Sequence, residues 1–87
     1  MNIIVVGCGK VGTKLVTELV AEKHSIVVID TDIEKLEELG NTLDVMCVHG
    51  HGESVAVLKN ADVDSCDLLI AVTRSDEINL LTCLLAK

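Results

Sequence analysis

Phenylalanine, tyrosine, tryptophan and proline are all absent from the 87 residues. Without aromatics the core has to be built from Val, Ile, Leu and Ala, which suits a close-packed parallel sheet under thin helices. Without proline, a linker or a low-complexity segment, nothing divides the chain, and its length makes one domain over 1–87. Basic residues are few, seven against fourteen acids for a formal charge of −7, and they never cluster. That balance excludes nucleic acid and an anionic membrane surface as partners. Long hydrophobic runs are missing too: charge or glycine interrupts each one well short of a bilayer span, and the first strand carries neither basic leader nor cleavage site. The expectation is a cytoplasmic protein with no direct membrane insertion. Cys8, Cys47, Cys66 and Cys83 are scattered and form no C-x-x-C, which excludes a zinc knuckle or thioredoxin motif and leaves reduced, mostly buried thiols as the expectation.

What the chain does contain is 49% hydrophobic residues, enough for a folded core, and a glycine pattern directly behind its first apolar run. Asn2 to Gly12 reads Asn-Ile-Ile-Val-Val-Gly-Cys-Gly-Lys-Val-Gly, the G-x-G-x-x-G dinucleotide fingerprint. Gly7 permits the tight strand-to-helix turn, Gly9 removes a Cβ so that backbone can approach a pyrophosphate, and Gly12 lets the helix pack on the strand. The anion then sits on a helix N-terminus, where unpaired amides and the macrodipole favour negative charge. A second strand, Ile26 to Ile29, delivers Asp30 where the fingerprint wants an acid. Asp30 would accept from the adenosine ribose hydroxyls and repel a 2′-phosphate, favouring NAD over NADP; the alternative is a solvated acid ending a strand.

Lys10 to Lys23 carries Val11, Leu15, Val16, Leu19 and Val20 at helical intervals and predicts an amphipathic helix. Thr31-Asp32-Ile33-Glu34 reads as a capping box with Thr31 as N-cap. The short helix it starts turns Ile33, Leu36 and Leu39 inward and ends at Gly40-Asn41. A third strand lies within Asp44 to His49, closed by Gly50-His51-Gly52, and a brief helix is expected over Ser54 to Asn60. Leu68 to Val72 is the fourth strand; Thr73 to Asp76 fits another cap, opening a helix from Asp76 to Lys87. The alternation βαβαβαβα gives an α/β, Rossmann-type parallel sheet of order 3-2-1-4 with helices on both faces. Ligands of such sheets bind at the carboxyl ends of the strands, where Gly7 to Gly12, Asp30, His49 to Gly52 and Thr73 to Asn79 all fall.

With these segments in place the whole chain resembles the TrkA N-terminal (KTN or RCK) family of potassium-transport regulators. The resemblance rests on Ile-Val-Val-Gly-Cys-Gly-Lys-Val-Gly, on Val-Val-Ile-Asp-Thr-Asp, on the Gly50 turn and most specifically on Ala-Val-Thr-Arg-Ser-Asp-Glu-Ile-Asn-Leu-Leu at 71–81. It implies a cytoplasmic regulator, not an enzyme, that binds NAD or NADH, or alternatively ATP, ADP or AMP. It further implies a homo-oligomer, a dimer or higher ring, beneath a membrane potassium transporter or channel subunit. Carried onto this chain, the site would comprise Gly7, Cys8, Gly9, Lys10, Val11, Gly12, Asp30, Thr31, Asp32, Gly50, His51, Thr73, Asp76 and Asn79. The resemblance places Thr73, Asp76 and Asn79 against the nicotinamide or the terminal phosphates, although capping alone accounts for the first two.

Two departures accompany the resemblance. The family usually has an aspartate where this chain has His51, and its domain has two further strands, so the chain reads as truncated relative to a six-stranded domain. An uncovered strand-4 edge and a leucine-rich last helix would then invite self-association. Within the loop, Lys10 could reach a phosphate or be an exposed helix-start lysine. Cys8 would offer its backbone amide, with a reactive thiolate as the alternative because helix N-termini lower cysteine pKa. Cys47, His49 and His51 alternate without a fourth ligand, so no metal is expected. The rival function is a small NAD-dependent oxidoreductase or a fragment of one. Against it, no acid-base residue is placed over a nicotinamide.

Overall fold

The computed structural model describes residues 1–50 and 65–72 together with the strand 78–82. Four parallel strands, β1 (Asn2–Val6), β2 (Ser25–Asp30), β3 (Met46–His49) and β4 (Leu68–Val72), form a sheet in which β5 (Ile78–Thr82) is the fifth member, in the order β3-β2-β1-β4-β5. The expected 3-2-1-4 arrangement is therefore present. β1 is central because its side chains are apolar on both faces: Ile3, Ile4 and Val5 are all buried. Its register places Val5 beside Val28 on one side and Ile70 on the other. The chain leaves β1 toward β2 and later returns to β4 on the opposite flank, so the turn after β1 stands at the topological switch point.

Alternation along the strands sorts the core into two clusters. Ile3, Val5, Ile26, Val28 and Ile70 face α1 (Lys10–Ala21) and α2 (Ile33–Thr42), where Val16, Leu36 and Leu39 close over them. Burying each such side chain contributes about 1.5–3 kcal/mol. Ile4, Ile29 and Cys66 form the second cluster with Val6, Val27, Val48 and Leu69. The helix expected over Ser54 to Asn60 lies outside the described residues.

Several boundaries differ from the sequence reading. α1 stops at Ala21, because Lys23 takes a left-handed φ of 66° and the amides of Lys23 and His24 return to the carbonyls of Val20 and Leu19. The N-cap of α2 is Asp32 rather than Thr31: its carboxylate accepts from the amides of Glu34 at 3.1 Å and Lys35 at 3.3 Å. The shift of one residue follows from Asp30, whose carboxylate takes the Asp32 amide and keeps the chain extended to that point. Ile33 is consequently exposed rather than turned inward. At the other end α2 runs through Gly40 and Asn41 to Thr42, since Leu43 continues the apolar contact begun by Leu36 and Leu39.

The largest correction concerns the end of the chain. Ile78 to Thr82, expected inside a helix, is a strand antiparallel to β4, with Val72 opposite Ile78 and Leu68 opposite Thr82. A short apolar run fits either period, and the open hydrogen-bonding edge of β4 selects the strand. β5 thus covers the edge that the sequence reading left bare. Cys66 is disulfide-bonded, so the expectation of thiols holds for Cys8 and Cys47 and fails for Cys66. Among the described residues no helix is long and apolar enough to cross a membrane.

Candidate nucleotide-binding site

The three glycines of the first turn do separate work. Gly7 has φ 101°, its amide donates to the Ile29 carbonyl at 2.7 Å, and a Cβ on it would lie 2.8 Å from the Val72 carbonyl oxygen. A Cβ on Gly12 would run into the carbonyl oxygen of Gly7. Both glycines are required by packing of protein on protein. Gly9 is different: a Cβ there would meet nothing within 4 Å. Packing therefore leaves Gly9 room for a side chain that it does not carry, and its backbone stays open to approach from outside.

Gly9 is also the N-cap of α1, and it supplies no side-chain hydrogen bond. The first turn holds no acid, and Lys10, exposed, stands at its start. This is the opposite of α2, whose N-terminus is capped by Asp32 and flanked by Glu34. Free amides and the positive end of the dipole therefore face outward at α1 alone of the two described helices. Thr13 stiffens the loop from behind: its hydroxyl donates to the Cys8 carbonyl and its amide to the Gly9 carbonyl, each at 2.8 Å.

Asp30 stands across this loop at the end of β2. Its Oδ2 accepts from the Cys8 amide at 2.7 Å and its Oδ1 from the Asp32 amide at 2.8 Å. Burial opposes its ionisation, but the amides of Cys8 and Asp32, the Cys8 thiol and the charge of Lys35 outweigh it and hold the carboxyl below its usual range. A carboxylate has about four lone-pair sites, and the two amides and the Cys8 thiol take three of them. The Cys8 amide, expected to face a ligand, is committed to Asp30 instead. The reactive-thiolate alternative is overturned as well. Burial first, then the hydrogen bond and charge of Asp30, push the Cys8 thiol up to about 12.

Beyond Asp30, Thr31 is exposed and its carbonyl accepts from Nε2 of His49 at 2.9 Å, while the Gly50 amide donates to the Asp30 carbonyl at 2.9 Å. Gly7, Cys8, Gly9, Lys10, Val11, Gly12, Asp30, Thr31, Asp32 and Gly50 thus gather on one edge of the sheet. His51, Thr73 and Asp76 lie outside the described residues. Asn79 is in β5 opposite Ala71, not in a helix. A cleft of about 430 Å³ opens from the loop between α1 and α2, lined by Gly9, Lys10, Thr13 and, from α2, Lys35 and Leu39. His49 was expected on this edge, lining the adenine side of the cleft or lying at the surface, whereas Lys35 was not among the expected site residues. Lys35 was legible as the cation in the first turn of α2, a few residues after Asp30. Among the described residues no group of three or more His, Cys, Asp or Glu could hold a metal ion.

The model of the TrkA-N domain family matches residues 3–87. The chain is 43% identical over 86 residues to the Trk system potassium uptake protein TrkA of Halomonas elongata, covering 99% of this chain and 19% of that protein. It is 38% identical over 86 residues to the protein of that name from Vibrio alginolyticus, again covering 99% of this chain and 19% of the relative. Against the Trk system potassium uptake protein TrkA homolog of Pyrococcus abyssi the identity is 32% over 87 residues, with 100% and 38% covered. The chain therefore spans well under half the length of these relatives.

Proposed function

Because the chain belongs to the TrkA-N domain family, we propose that it is a nucleotide-binding regulatory module of potassium transport, working at the cytoplasmic side of a membrane transporter or channel subunit. NAD or NADH, or else ATP, ADP or AMP, lays its diphosphate or phosphate over Gly9 and the open amides of α1, with Lys10 alongside and the adenosine ribose against Asp30. The observation that carries this reading is Gly9: an uncapped helix start with room for a Cβ that is not there. The names of the relatives supply the transport system. A homo-oligomer would let occupancy alter the geometry between subunits, which requires that the ligand bind two conformations unequally.

Calorimetric titration of the protein with NAD, NADH, ATP, ADP and AMP tests the reading, with Asp30→Ala as the comparison. Saturable binding that weakens in the variant is the expected result. No binding of any of the five would overturn it, and robust turnover of NADH with carbonyl substrates would favour an oxidoreductase instead.

A further inference from the structure

Asp30 recognises a sugar only if its carboxylate is held in one orientation, and the turn that carries it is held from three directions. The Cys8 and Asp32 amides fix the two oxygens, and the Gly50 amide fixes the main-chain carbonyl. Those three donors are backbone groups. The fourth tie is the His49 ring on the Thr31 carbonyl at 2.9 Å, and among the described residues it is the one side chain from another strand that hydrogen-bonds to the main chain of 30–32. We propose that His49 is a positioning residue that sets the β2–α2 turn, and through it Asp30, for the ribose diol of an adenine nucleotide.

The chemistry of the tie is specific. A carbonyl only accepts, so Nε2 carries the proton, and both the neutral Nε2–H tautomer and the imidazolium satisfy it. The ring reaches across from the position paired with Asp30 in the parallel register, so β3 carries the turn at a fixed height. His49 is exposed and belongs to neither core cluster, which separates this role from a part in folding. A glutamine at 49 has an amide that can donate to the same carbonyl. An alanine has nothing.

This inference rests on the nucleotide reading above, and its test keeps the two apart. ADP and 2′-deoxy-ADP are titrated into wild type, His49→Ala and His49→Gln, since the adenosine half is common to all the nucleotides considered, and melting curves are recorded for each. Wild type should prefer ADP; His49→Ala should lose about fivefold of that preference, the worth of one hydrogen bond, and His49→Gln should keep most of it, with all three melting alike. A preference undiminished in His49→Ala, or equally lost in His49→Gln, overturns the role of His49 while the nucleotide reading stands. Failure of wild type to bind ADP, NAD or ATP overturns both.

Discussion

The amide of Cys8 donates to the carboxylate of Asp30 across 2.7 Å and so joins the glycine loop after β1 to the end of β2. The same carboxylate holds the Asp32 amide, which places the start of α2. Asp30 is therefore a structural residue before any ligand arrives. Asp30→Asn keeps one acceptor but loses the charge and turns an N–H₂ toward one of the two amides. It should destabilise the protein by about 1–2 kcal/mol near neutral pH, toward the low end because the group is partly solvated. The sign with pH follows from a folded-state pKa below the ordinary 3.8. Its contribution is complete above the unfolded value and disappears as pH falls through the lower folded value. Urea unfolding of wild type and Asp30→Asn near pH 7 and again at about pH 2.5 should show the difference shrinking; a difference unchanged at low pH would mean that charge plays no part.

The glycine fingerprint separates into two that packing requires and one that it does not. Gly12→Ala places a methyl against the Gly7 carbonyl and should cost about 1–3 kcal/mol in stability. Gly7→Ala meets both a φ of 101° and the Val72 carbonyl, with a similar cost. Gly9→Ala has an extended backbone and open space, so its melting temperature should stay close to wild type, within about 0.5 kcal/mol. Its methyl would nevertheless stand in the path of the proposed diphosphate, and affinity for ADP should fall about tenfold or more. Measured together by thermal melting and calorimetry, a stable Gly9→Ala that binds ADP as wild type does would leave the loop without a ligand.

Much of this was legible in the chain, for reasons that particular residues make plain. Ile3, Ile4, Val5 and Leu68 to Val72 are apolar on both faces, as strands inside a covered sheet are, and with the alternation of helices the order 3-2-1-4 followed from topology rules. Gly7 and Gly12 could be assigned separate tasks because each task is steric. What failed was decided by tertiary partners. Thr31 and Asp32 are equally good caps in isolation, and the choice fell to Asp32 because Asp30 had already taken its amide. Ile78 to Thr82 reads as helix by spacing, yet the open ladder of β4 pairs it as a strand. The Cys8 amide was expected to face outward but is taken by Asp30, and burial together with that carboxylate raises the thiol pKa that a helix N-terminus would lower.

That reversal gives Cys8 a chemical signature. A thiol at 3% exposure with its pKa pushed up to about 12 carries almost no thiolate at ordinary pH, and the thiolate is the reacting species. Iodoacetamide at about pH 8 should leave Cys8 unlabelled in the native protein and modify it readily in urea, as read by mass spectrometry of the tryptic peptides. Asp30→Ala removes the hydrogen bond and the repelling charge together, so native labelling of Cys8 should accelerate in that variant. Rapid labelling of Cys8 in native wild type would contradict the position assigned to it beside Asp30.

Lys23 closes α1 in a conformation that suits glycine. Its φ of 66° is left-handed, and the amides of Lys23 and His24 complete the paired hydrogen bonds to Val20 and Leu19 that such a helix end requires. A side chain with a Cβ pays about 1–2 kcal/mol to sit there, whereas glycine does so freely. Glycine also gains freedom in the unfolded chain, which returns part of that difference. The net expectation for Lys23→Gly is a stabilisation of about 0.5–1 kcal/mol. Lys23 lies at the end of α1 remote from Gly9, so ADP affinity should not change with it. A lower melting temperature in Lys23→Gly would show that the lysine side chain contributes more at this helix end than the strain of its backbone removes.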